Sequence, residues 1–87
     1  MYHSGYIMVD ATGLDVSKTE AQTVPGLYQK MADARATGKA VMLCGAVNGE
    51  AEISPVFVTV TEGEGETFTL GSFTAVVAAN DTVTPAT

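Results

Sequence analysis

A serine or cysteine nucleophile needs a base beside it, most often histidine. This chain holds one histidine, His3, and one cysteine, Cys44. The serines Ser4, Ser17, Ser54 and Ser72 all lie outside a Gly-x-Ser-x-Gly elbow. Cys44 ends the apolar run Val41-Met42-Leu43-Cys44 rather than opening a helix, where thiols become reactive, so it reads as a buried free thiol. Zinc needs several Cys or His ligands at fixed spacing, and one of each does not make a set. Calcium needs converging oxygens. Glu62, Glu64 and Glu66 could offer some, but the glycines Gly63 and Gly65 splay them and no Asp-x-Asp-x-Asp-Gly loop exists. That segment reads as a solvated acidic hairpin that hinders edge pairing, with a weak Ca²⁺ site as the alternative. Carboxylate pairs for glycoside hydrolysis would come from Asp10, Asp15, Asp33, Asp81 or the glutamates. No tryptophan is present to line a sugar cleft. Gly38-Lys39 sits at an expected helix end, where the dipole repels anions, and no P-loop ending follows. The reading is a protein without catalytic, cofactor-binding or metal-ligating residues, hence not an enzyme and without a cofactor.

The elements that would have carried such groups are small. Eighty-seven residues make one domain. A chain of this length buries about 60–65% of the surface its unfolded form exposes. Yet 46% of its residues are apolar and only 16% charged, against a usual ~25%. Part of that apolar surface is expected to be covered by another subunit, although exposure-tolerant alanines inflate the fraction. The net charge is −6, with Lys18, Lys30, Arg35 and Lys39 the only bases. That balance repels nucleic acid and anionic membrane surfaces. No run approaches the ~18 apolar residues of a membrane span, and Met1 to Tyr6 lacks the features of a secretion signal.

Tyr6-Ile7-Met8-Val9-Asp10 reads as a strand, and Leu14 to Gln22 as a connecting loop. A helix is predicted from an N-cap at Thr23, with Pro25 in its first turn and Gly38 as the left-handed residue that ends it. Val24, Leu27, Tyr28, Met31 and Ala34 recur at helical spacing. Lys39 to Val47 reads as a central strand covered on both faces. Asn48-Gly49 signals a type I′ hairpin. A strand follows over residues 50–61, interrupted by Pro55, then strands over 66–70 and 73–79 and a short edge at Thr82-Val83-Thr84. This order predicts an α+β domain, one amphipathic helix packed on a mostly antiparallel sheet of four to six strands. The helix could connect parallel first and second strands. Residues 1–87 form a single domain, with 1–5 and 85–87 expected to be mobile.

The expected core is Val24, Leu27, Tyr28 and Met31 on the helix over Val41, Leu43, Val58 and Phe68. The Thr/Val-rich strands present β-branched faces suited to pairing, with Val56, Phe57, Thr59, Phe73 and Val76 as interface candidates.

The segment GYIMVDATGLD (Gly5–Asp15), followed by QTVPGLY (Gln22–Tyr28) and Gly38-Lys39, resembles small uncharacterised proteins of tailed bacteriophages and prophages of gut bacteria. The resemblance spans most of the chain. It implies a virion accessory or structural protein, near head-fibre or decoration components, and a homo-oligomer in a repetitive assembly. It carries over no catalytic residues. The expected function is therefore a non-enzymatic structural or interaction module that self-associates, with itself and other virion proteins as partners. Its expected location is the host cytoplasm during assembly, then the virion. The alternative is a monomeric acidic binding module that regulates or inhibits a host protein.

Overall fold

The computed structural model describes residues 5–86. The elements are β1 (Tyr6–Asp10), β2 (Gln22–Thr23), α1 (Leu27–Ala36), β3 (Ala40–Cys44), β4 (Val47–Asn48), β5 (Ala51–Glu52), β6 (Val56–Glu62), β7 (Glu66–Leu70), β8 (Phe73–Val77) and β9 (Thr82–Pro85). The α+β class holds: one helix lies on a curled, mostly antiparallel sheet. The sheet has seven strands in the order β1-β3-β6-β7-β8-β9-β2, more than the sequence led us to expect, and β4-β5 form a separate hairpin. The extra strand is β2. Its two residues fall at the end of a segment read as loop, and they pair antiparallel with β9, so Thr82-Val83-Thr84 is not an edge. A two-residue strand shows no alternation, so only its distant partner reveals it. The sole parallel pair of the sheet is β1 with β3, joined through α1.

The helix starts later than predicted, at Leu27. Val24-Pro25-Gly26-Leu27 instead forms a β-turn closed by the Leu27 N–H donating to the Val24 carbonyl at 3.1 Å. Gly26 takes φ 81° and ψ −5°, the values of the third residue of a type II turn, with Pro before it. A Pro-Gly pair marks such turns, and an N-cap at Thr23 would have required Gly26 to be helical. Val24 is still buried, but from the turn. Gly38 behaves as predicted: it has φ 74° and its N–H donates to the Arg35 carbonyl. The Asn48-Gly49 hairpin also forms, one residue out of phase. Asn48 pairs with Ala51, so Gly49 and Glu50 are the central residues, and only Gly49 has positive φ. That is the pattern of a type II′ turn rather than I′. Pro55 separates β5 from β6, as a residue without an N–H should.

Leu27, Met31 and Ala34 of α1 are buried against Val9, Val41, Leu43, Val58 and Phe68 of the sheet. All eight expected core residues lie in or against this core, with Tyr28 only partly buried. The β3 strand alternates rather than being covered twice. Val41 and Leu43 are buried, while Met42 and Cys44 are half-buried on the opposite face, so Cys44 is not the enclosed thiol expected. At the C-terminal end, Pro85 stands opposite Ala75 and the Ala86 N–H donates to the Thr74 carbonyl at 2.8 Å, so pairing runs further than the fraying we anticipated. Residues 1–4 and Thr87, the other segments expected to be mobile, lie outside the described residues. No helix among the described residues is long and apolar enough to cross a membrane.

Candidate functional site on the outer face of the sheet

Strand alternation sorts the sheet into two faces, and the register carries the sorting across strands. Val41 stands beside Ile7 and Val58, Phe68 beside Val60 and Ala75, and Val77 beside Val83; these look toward the helix and core. The residues between them look away. One outward row runs Met8–Met42–Phe57. A second runs Thr59–Thr69–Thr74 and a third Thr61–Thr67–Val76–Thr84. No outward residue of these strands is buried. Tyr6, Met8 and Phe57 are exposed by 50%, 50% and 54%, the largest apolar side chains so placed among the described residues. The Tyr6 and Phe57 rings meet edge to face at 5.8 Å, which bridges over β3 and holds both in place. Thr69 and Thr74 hydroxyls lie 3.2 Å apart and satisfy one another.

Of the interface candidates, Phe57, Thr59 and Val76 lie on this outer face. Val56 and Phe73 do not. They fall on the inward phase of β6 and β8 and pack against the core, Phe73 with its ring 5.8 Å from Phe68. Tyr6, Met8 and Met42 complete the apolar corner and were missed. Their alternation was visible in the sequence, but which strands lie side by side was not.

Charge is distributed as sharply. Among the described residues, Asp10 at the end of β1 is the one charged side chain on the outer face. Its carboxylate accepts the Thr12 hydroxyl at 2.6 Å and the Thr12 N–H at 3.0 Å, contacts that hold its pKa below the usual carboxylate value. Gly45 packs so close to this pair that a Cβ there would press on the Thr12 hydroxyl and the Asp10 carboxylate.

The acidic hairpin is not uniformly solvated. Glu66 is 2% exposed, whereas Glu62, opposite it, and Glu64 at the tip are exposed. Arg35 from the last turn of α1 offers Nε to Glu66 Oε1 at 2.7 Å and Nη2 to Oε2 at 3.3 Å. It also lies 3.7 Å from Glu62. One guanidinium thus holds two facing carboxylates together, and the bonds to Glu66 raise the Arg35 pKa against the opposing effect of burial. Glu66 shares its face with Phe68 and Leu70, a phase that even spacing showed but a charged residue disguised. The three glutamates therefore do not converge on one point.

The remaining candidate groups serve local structure. Asp15 accepts the Ser17 hydroxyl, the Ser17 N–H and the Gly49 N–H, and with the hydroxyl bond foremost its pKa falls to about 2. Asp33 accepts the Gln29 amide at 2.8 Å. Asp81, at φ 71°, caps α1 from the β8–β9 turn, its two oxygens accepting the N–H groups of Gly26 at 2.8 Å and Tyr28 at 3.1 Å. The Cys44 thiol points to the Val9 carbonyl at 3.4 Å. His3 and Ser4 lie outside the described residues. Among those described, no three Cys, His, Asp or Glu side chains gather where they could share a metal ion. An open hollow at the end of α1 is lined by Arg35, Lys39, Val58 and Thr59, but its guanidinium is committed to Glu66 and Glu62. The arrangement that could act on another molecule is the outer sheet face. No protein-family model, curated protein or solved structure matches the chain.

Proposed function

We propose that this protein is a non-enzymatic structural or interaction module that associates with itself. The observation that supports the reading is the outer face of the sheet, where Tyr6, Met8 and Phe57 are about half exposed and, among the described residues, Asp10 alone is charged, in a chain of net charge −6. An apolar patch on a small domain favours association because covering it removes that surface from water. The resemblance to small tailed-phage proteins adds a setting, a virion component made in the host cytoplasm and used in many copies. Light scattering across a dilution series tests the reading. Mass above one copy that grows with concentration is the expected result, and a strict monomer up to ~1 mM, where binding would be worth only about 4 kcal/mol, counts decisively against it.

A second reading rests on a different observation. Glu50, Glu52, Glu62 and Glu64 are all exposed on hairpins, a surface suited to a basic host protein. In that case partner capture from a bacterial lysate weakens as salt rises. Failure to retain any basic partner at low salt removes this alternative.

A further inference from the structure

Resting on self-association, we infer which surface carries it and in what manner: two copies stack outer face to outer face, with the Tyr6–Met8–Met42–Phe57 corner as the dry centre. Two surfaces compete for this role, that face and the open edge of β1, the first strand in the sheet order. The other edge, β2, is only two residues long.

Area and charge both favour the face. Paired stretches of two to five residues between neighbouring strands, at ~3.3 Å per residue and ~4.8 Å between strands, give roughly 350 Å² of plan area per copy. Two such faces fall short of the ~1,000 Å² at which specific interfaces begin, so the pair is weak and reversible, but they still exceed what a five-residue strand edge can cover. The β1 edge offers five residues of backbone. The Asp10 carbonyl at its end already takes the Lys30 ammonium at 3.3 Å. Charge selects more sharply. Copies of −6 repel, and the face with a single carboxylate is where they approach with least penalty. The threonine rows pack as sheet faces do at ~10 Å, and their hydroxyls can pair within a face as Thr69 and Thr74 already do. Because the attraction is apolar and the opposing force is long-range like-charge repulsion, association strengthens as salt screens the charge.

The experiment is sedimentation equilibrium of the full chain and two variants, at ~0.05 M and ~0.5 M salt. Phe57→Lys changes the apolar corner. Thr69→Lys changes the middle strand of the sheet, about 14 Å from the β1 edge at the usual strand spacing, where edge pairing cannot feel it. Both residues are exposed, and an unaltered far-ultraviolet spectrum with a cooperative unfolding transition verifies the fold. The expected result is a dimer that tightens with salt and is weakened at least ~tenfold by each lysine. A wild-type monomer at every concentration overturns self-association itself. A dimer unchanged by both lysines leaves self-association standing and overturns the face. A dimer that loosens as salt rises overturns the face as well.

Discussion

Phe57 and Phe68 stand on neighbouring strands of one sheet and inhabit different worlds. Phe68 faces the helix and is fully enclosed; Phe57 faces outward and is more than half exposed. The inward face admits a carboxylate, Glu66, only with a guanidinium bonded to it. The outward face needs no such partner for its hydroxyls, which water or a neighbouring threonine satisfies. Burial is thus decided by phase within a strand, while tolerance of charge is decided by what lies opposite. Among the described residues the one helix covers one face of the seven-stranded sheet, and the other face carries threonine and a few large apolar groups rather than lysine and glutamate.

The largest test of that contrast is to truncate each ring. Phe68→Ala should lower stability by about 3–5 kcal/mol in urea unfolding, because it leaves a cavity beneath α1. Phe57→Ala, measured at a dilution where the chain is monomeric, should cost only about 0.5–1 kcal/mol, mainly the Tyr6 edge contact. Equal losses would erase the distinction between the faces. Next in size is Arg35→Met, which strands the Glu66 carboxylate. The variant should unfold at clearly lower urea, and adding Glu66→Leu should recover much of the loss. No recovery in the double variant would mean that the inward face does not require the carboxylate to be matched.

Asp81→Ala removes both acceptors from the start of α1 and should cost about 0.5–2 kcal/mol, with Asp81→Asn losing less because it keeps a carbonyl oxygen and tolerates positive φ. The smallest effect concerns acid. Asp15 has its pKa lowered from 3.8 to about 2 by the Ser17 and Gly49 bonds. The unfolded chain therefore takes up this proton first as pH falls, so the contribution is full above about 3.8 and disappears on descent through about 2. Asp15→Asn should flatten the fall of Tm across that window and leave the slope above pH 5 unchanged. An identical acid profile would show that Asp15 is not held as described.

Much of this fold is legible in the residues. Leu27, Met31 and Ala34 repeat at the spacing of a helix face, and Val56, Val58 and Val60 alternate against Phe57, Thr59 and Thr61, so the sorting into faces is local information. Three things are not local. Gln22 and Thr23 are a strand only because β9 lies beside them. Glu66 is buried only because Arg35 reaches it from 31 residues away. The cap of α1 comes from Asp81, 55 residues beyond Gly26, although the Pro25-Gly26 turn itself is a local signal. The outer face was half visible: Phe57, Thr59 and Val76 were readable as outward, but the corner that Tyr6, Met8 and Met42 build with Phe57 depends on strand order, which periodicity does not encode.

The clasp between Asp81 and the start of α1 also has a bearing on how the chain is made. A ribosome releases the helix well before it has synthesised the turn that closes its first peptide groups, and Gln22 and Thr23 likewise emerge with no neighbour to pair with. The helix start therefore stays uncapped until residue 81 has been made, and a chain shortened before residue 81 loses the acceptors of the Gly26 and Tyr28 N–H groups together with the strand that pairs Gln22 and Thr23.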